Sequence, residues 1–434
     1  MSKFKNLVIF STLNQMTNYL VIQKVNPEKI FNITYEESLV KTFGHEISPN
    51  KWDKNLKDTL KDSELKHLAE KSNFEKIFIG DGIIQNPDKI KEKFEDYFKD
   101  IEIDEAIYWN ITGGQRIYLI PIYEWLKDKK RVNDVIAYIE GNKERIVEIS
   151  VNSEKTDREY GEYGLDNLNF KTAFKLMGYD SNTSNTTVLK DGGENKVNEK
   201  SRLKDEIDFY TALYKKIISN TKIRYEVEGY EDCSFMDLLL LSNSDKFKEK
   251  ENKAKFLEKV FEKIKSENTD DKYLENSPTI DKSSEMKQRY PAGYIFEKIV
   301  GYNIWKKIEK NPKITSMALS QKVEFSEDTA DNDLGIIDEL DIVLLTNTGK
   351  IINIECKSGG MTGDNAKSHH FTSYALSGVF GTPIFASPLC ENGEYKFKKT
   401  VDKLEKAFNA AEKAKLKTIR IDSLEKDITT IIGE

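Results

Sequence analysis

Along roughly the first 150 residues, short continuous apolar runs alternate with stretches whose apolar positions recur at helical spacing. Leu7–Phe10, Lys29–Ile33, Lys76–Ile79 and Ala106–Ile111 read as strands. Met16–Val25, the charged stretch Asp53–Lys71, Ile90–Phe98 and the apolar Ile117–Leu126 read as the helices between them. Val132–Ile139 and Val147–Val151 read as a closing hairpin. Such alternation predicts an α/β fold: a Rossmann-like parallel sheet with helices on both faces.

From about residue 160 the pattern changes. Phe170–Met177 is amphipathic, Leu203–Ile218 is a longer helix, and Phe256, Val260, Phe261 and Ile264 mark one face of a Lys/Glu-rich helix. Ile223–Val227 alternates like a short strand. Ser181–Lys200 is polar and Gly/Asn-rich and reads as a mobile loop, and Ser266–Arg289 as a linker. A small helical or winged-helix-like connector fits this region. Beyond Pro291, Phe296, Val300 and Ile304 recur at helical spacing behind the proline. Two apolar runs, Ile342–Leu345 and Ile351–Ile352, flank the turn-like Asn347-Thr-Gly-Lys350 and predict a β-hairpin. Asp364–Phe380 reads as a helix and Pro383–Ser387 as a strand. The expected units are 1–155, 156–285 and 286–434.

Composition narrows the class. The chain has 434 residues, enough for two or three domains. A net charge of −7 gives no bulk basic character, so nucleic-acid binding would need a local basic groove. The three cysteines lie far apart without metal-ligand spacing, which fits a reducing cytoplasm. No apolar stretch approaches a membrane span, so no membrane partner is expected.

The hairpin carries the strongest chemistry. Side chains alternate faces along a strand, so Glu355 and Lys357 share one face and Ile354 and Cys356 the other. The fold-back brings Asp341 beside Glu355. Two carboxylates and an amine at adjacent strand ends can hold a divalent cation and position a water. Charged residues also alternate on the wet face of ordinary hairpins. The apolar flanks weigh against that here, because buried carboxylates need partners. Glu297 lies beside the apolar stripe of the Pro291 helix, either as an accessory ligand or paired with a lysine. His369 and His370 fall on the later helix, where a satisfied structural histidine is the ordinary expectation.

The N-terminal half offers two strand ends. Ser11-Thr12-Leu-Asn14-Gln follows the first strand, and Asn110-Ile-Thr112-Gly113-Gly114-Gln115-Arg116 follows the fourth. Ligands bind at such ends in open parallel sheets. Tandem glycines let backbone N–H groups approach a phosphate, and Arg116 adds a charge. Thr12, Asn14, Asn110 and Thr112 are candidate hydrogen-bonders to ribose or base. Ser11 and Thr12 are equally ordinary as helix caps. Neither a dinucleotide G-x-G-x-x-G nor a P-loop is present.

Asp341, Glu355 and Lys357 resemble the PD-(D/E)xK nuclease signature, with Leu340 where a proline often stands. Joined to the N-I-T-G-G-Q-R segment, they resemble the CRISPR-associated Rossmann-fold (CARF) ancillary nucleases of type III systems. The resemblance covers both ends of the chain, and Leu168–Gly178 looks like the start of that family's connector. It implies a homodimer whose paired CARF domains bind a cyclic oligoadenylate, usually cyclic tetra-adenylate. Thr12, Asn14, Asn110, Thr112, Gly113, Gly114, Gln115 and Arg116 would serve that pocket. It further implies cleavage or nicking of DNA, for some members RNA, with Mn²⁺ or Mg²⁺. Asp341, Glu355 and the backbone carbonyl of Cys356 would hold the metal, Lys357 would orient water, and Glu297 would assist. A constitutive restriction or repair nuclease and a non-catalytic ligand-responsive regulator remain as alternatives.

Overall fold

The computed structural model describes residues 4–36, 49–84, 86–114, 116–151, 158–183, 185–198, 201–219, 224–242, 247, 250–268, 271–274, 278–280, 287, 290–325, 336–359, 363–378 and 381–432. The N-terminal sheet contains β1 (Asn6–Phe10), β2 (Lys29–Tyr35), β3 (Phe74–Ile79), β4 (Ile107–Asn110), β5 (Val135–Glu140), β6 (Arg145–Ser150) and β7 (Arg158–Gly161), in the order β3-β2-β1-β4-β5-β6-β7. The first five in that order run parallel, and β6 and β7 are antiparallel additions. The strand order reverses between β1 and β4, so the loops after Phe10 and Asn110 leave side by side at a topological switch point.

Local sequence explains the crossover helices. Asn86 accepts N–H bonds from Asp88 and Lys89 ahead of Pro87–Phe98, with the proline in its favoured first turn. That helix buries Phe94 and Phe98 against Trp109 of β4 and Trp125. The helix expected at Ile117 begins as a 3₁₀ turn over Arg116–Tyr118, and the α-helix runs Leu119–Asp128.

The second sheet has eight strands. Its main path is β10-β9-β13-β14-β15-β16-β17, and β8 also pairs with β13. Here β8 is Tyr179–Asn182, β9 Thr187–Asp191, β10 Glu194–Asn195, β13 Ile314–Phe325, β14 Ile336–Thr346, β15 Ile351–Cys356, β16 Thr382–Ser387 and β17 Lys417–Arg420. The mobile-loop reading of Ser181–Lys200 is therefore corrected. Thr187, Val188 and Lys190 pair with Leu319, Ala318 and Met317 of β13, and the polar side chains had concealed a strand whose partner lies far away in sequence. The connector's helices include Ser201–Ser219, Phe235–Ser242 and Lys250–Glu267, and the small hairpin of β11 (Tyr225–Val227) and β12 (Tyr230–Cys233) joins the first two. These pack with the helix Pro291–Ile308 into one hydrophobic core.

The two sheets are not independent. One buried cluster holds Met16 and Leu20 of the first helix together with Val343, Leu345, Ile351 and Leu376. The β14–β15 turn is seated on that helix. Gly349, at φ +79°, leaves no room for a Cβ, which would lie 2.4 Å from Met16 Cγ.

Candidate nuclease site and strand-end cleft

The β14–β15 hairpin forms as its apolar pattern demands. Ile342 pairs with Ile354 and Leu345 with Ile351, which sets Asp341 opposite Glu355. Ile342, Ile354 and Cys356 face one core while Val343, Leu345 and Ile351 face the other. The Cys356 backbone N–H donates to Asp341 Oδ2 at 2.7 Å. Lys357 follows the strand, its backbone N–H donating to Ala386 O of β16 and its ammonium paired with Glu355. Glu297 reaches the same place from the Pro291–Ile308 helix. It is only 4% exposed, and Ser320 Oγ donates to its Oε1 at 2.8 Å. The sequence-derived set of Asp341, Glu355, Lys357 and Glu297 thus converges on one strand end.

The electrostatics there are unbalanced. Burial, then the charge of Glu355, push the Asp341 carboxyl up to about 8, with Lys357 opposing. Burial and the charge of Asp341 raise Glu297 well above the usual carboxylate range. Burial alone would lower Lys357, but the charges of Asp341 and Glu355 outweigh it and hold the ammonium on. One lysine faces several carboxylates, with Glu339 also acting on Glu297 and Asp341. Such a site gains from an added cation.

The donors are hard oxygens, which suit Mg²⁺ or Mn²⁺ rather than a thiolate metal. Burial, then Asp341, raises the Cys356 thiol, whose side chain belongs to the hydrophobic core. Among the described residues no group of three or more His, Cys, Asp or Glu is already arranged as a metal cage. Lys357 engages the Oε1 atom of Glu355, while Oε2 faces His369 at 3.7 Å.

Several neighbours were not read from the sequence. Ser320 sits at φ +52° in β13, and its role depends on a strand partner no local signal announces. Asn353 is fully buried, and its Nδ2 reaches Ser373 Oγ at 3.2 Å and His369 Nδ1 at 3.4 Å. His369 Nε2 donates to Ile384 O at 3.1 Å, leaving Nδ1 as acceptor, 3.7 Å from Glu355 Oε2. Burial lowers its pKa, so the ring is the neutral structural histidine expected. Asp338 leans on Thr372 of the same helix, Gly363–Ser377.

At the N-terminal switch point the polar groups mostly satisfy one another. Asn110 is fully buried. Its Nδ2 donates to Asn18 Oδ1 at 3.0 Å, and its Oδ1 accepts from the Thr112 hydroxyl at 2.6 Å. Thr112 Oγ1 also accepts the Ile139 N–H at 3.0 Å. Asn110 and Thr112 thus shape the loop through bonds between strands. A Cβ on Gly113 would lie 2.8 Å from Thr12 Cγ2, and one on Gly114 2.8 Å from the Phe10 ring. The glycine pair lets the two strand-end loops touch, a packing reason independent of phosphate. Asn14 accepts the Met16 N–H and donates to Ser377 O across the chain. Gln115 lies outside the described residues, and Arg116 is described only as backbone opening the 3₁₀ turn.

This combination of a Rossmann-like sheet with a strand-end cleft and a second sheet carrying a carboxylate–lysine hairpin defines a two-site α/β architecture. Solved structures share this fold over nearly the whole chain. Protein VC1899 from Vibrio cholerae matches at TM-score 0.64 and 14% identity, covering 98% of this chain and 97% of that one. Can2 from Sulfobacillus thermosulfidooxidans, solved in complex with cyclic tetra-adenylate, matches at TM-score 0.57 and 13% identity, covering 99% and 97%. No family model and no curated protein matches the chain. The chain shares the fold of these two proteins over nearly its whole length.

Proposed function

We propose that the protein is a cyclic-oligoadenylate-activated, metal-dependent nuclease of type III CRISPR defence that cuts or nicks DNA, with RNA a further substrate. The observation that carries this reading is the convergence of Asp341, Glu355, Lys357 and Glu297 on one buried strand end, in a fold shared with a cyclic tetra-adenylate-bound protein. The sensor takes 1–155 with β7 of its sheet, the nuclease unit takes 286–434 with β8, β9 and β10 of its sheet, and the connector takes the rest of 156–285.

Asp341, Glu355 and the Cys356 carbonyl would hold Mg²⁺ or Mn²⁺, with Glu297 assisting. When bound, the ion lowers the pKa of water and screens phosphate charge. Lys357 keeps its proton and presents positive charge to the attacking water and the scissile phosphate. Arg116, Gly113, Gly114, Gln115 and Thr12 would meet the activator at the β1/β4 switch point. Ile120 and Tyr123, 62% and 53% exposed on the helix beside that loop, supply an apolar face suited to a second copy.

The test is incubation with circular and linear DNA and with RNA, with and without each cyclic oligoadenylate, in Mn²⁺ or Mg²⁺. Divalent-dependent cleavage stimulated by cyclic tetra-adenylate is expected. Absence of cleavage on every substrate overturns the reading. Full cleavage without any activator would instead favour a constitutive nuclease, which the self-satisfied bonding of Asn110 and Thr112 also fits.

A further inference from the structure

The β1 loop reaches the helix Gly363–Ser377 through the Asn14 side chain. Asn14 follows β1 at the strand-end cleft, and its Oδ1 accepts the Met16 N–H at 3.1 Å. That bond fixes which end of the amide is oxygen, so Nδ2 is the end that donates to Ser377 O at 3.2 Å. Ser377 closes the helix Gly363–Ser377, whose last carbonyls have no partner within the helix. Asn14 therefore caps, from the other sheet, the C-terminus of the helix that packs on the candidate active site. The contact is close: Gly378 turns at φ +61°, and a Cβ there would lie 3.1 Å from Asn14 Nδ2.

The same helix is bonded to β15 at Ile351 and at Asn353, and its His369 ring lies against the Glu355 carboxylate without a hydrogen bond to it. Ser377 Oγ accepts the Ile351 N–H at 3.2 Å, at the start of β15. Ser373 Oγ accepts from Asn353 Nδ2, and His369 lies between Asn353, Ile384 O and Glu355. A shift of the helix along its axis moves the groups that seat Glu355, and the β1 loop holds one end of that helix.

We propose that Asn14 is a positioning residue, a strut by which the occupancy of the strand-end cleft sets the place of helix Gly363–Ser377, and through His369 and Asn353 that of Glu355, within one chain. Its activity arm rests on the function proposed above. Its structural arm does not. This assigns Asn14 a role other than contact with the activator.

Asn14→Asp isolates the bond. The shape is kept and an oxygen remains to accept the Met16 N–H, but the donor to Ser377 O is lost. Amide hydrogen exchange on the full-length variant without activator is expected to quicken at least tenfold over residues 369–377 and stay unchanged over Met16–Val25. Calorimetry with cyclic tetra-adenylate is expected to give an affinity within about threefold of wild type, while stimulated cleavage falls at least tenfold. Unchanged exchange at 369–377, wild-type stimulation, or loss of activator binding would each overturn the strut. If the wild type neither binds nor cuts, the proposed function fails, and the exchange comparison alone decides the strut.

Discussion

The two polar regions of this molecule are built on opposite terms. At the β14–β15 strand end, the buried Glu297 and the half-buried Asp341 and Glu355 meet one lysine, and burial, then the charge of Glu355, pushes Asp341 up to about 8. At the β1/β4 switch point, Asn18, Asn110 and Thr112 consume one another's donors and acceptors, and two glycines close the gap between loops. The first region stores an electrostatic deficit that a cation can relieve. The second closes most of its bonds within the protein, with the buried Gln15 Nε2 an exception in the loop after β1. Polar residues at a strand end thus do not all signal a ligand. What separates the two regions is whether the bonds close within the protein.

The largest effect that sharpens this contrast is loss of chemistry. Glu355→Ala and Lys357→Ala are expected to reduce cleavage at least about a thousandfold, since both remove charge from the reacting phosphate. Activator binding by calorimetry should be unchanged in both. Retained cleavage in purified Glu355→Ala protein would sink the active-site assignment. Next in size is Arg116→Glu. One charge-assisted phosphate contact is worth about 1.5–3 kcal/mol, and a dimer with both copies on one ligand doubles it. Cyclic tetra-adenylate affinity should fall by at least a hundredfold, and divalent-ion binding should survive. An unchanged affinity would move the pocket elsewhere. Light scattering is expected to show a dimer before activator is added.

The contrast also explains what the sequence disclosed. The hairpin was readable because its apolar flanks and Gly349 turn are local, and the register of Ile342 on Ile354 follows from them. The parallel sheet was readable for the same reason, down to the two adjacent loops. The strands β8 and β9 were not, since Thr187 and Tyr179 are strand residues only because β13 is there to pair with them. Ser320 and Asn353 escaped notice likewise: their meaning comes from Glu297 and His369, each far away in sequence. The runs naming Asn110 and Thr112 were visible, but which way their bonds close is a tertiary fact.

A smaller effect tests the bonds closed at the switch point. Thr112→Val keeps the shape but leaves the Ile139 N–H without its acceptor, at a cost of about 1–3 kcal/mol. The melting temperature should fall with no ligand present. A variant of wild-type stability that binds activator weakly would return Thr112 to the pocket.

The smallest expected change runs in the opposite direction and tests the deficit itself. In chelator, Asp341 has a folded pKa raised from 3.8 to about 8. The folded state therefore holds a proton that the unfolded chain gives up between those values. The stability this contributes is fully present below about pH 4 and is lost as pH rises through about 8. Asp341→Asn never bears that charge, so it should gain on the order of 1 kcal/mol over wild type at alkaline pH, with the gain shrinking toward acid. Mn²⁺ should then raise the melting temperature of the wild type and leave Asp341→Asn unmoved. A wild-type melting temperature flat from pH 5 to about 9 in chelator, or an equal metal response in both proteins, would show that the strand-end carboxylates are as well compensated as the asparagines of the other sheet.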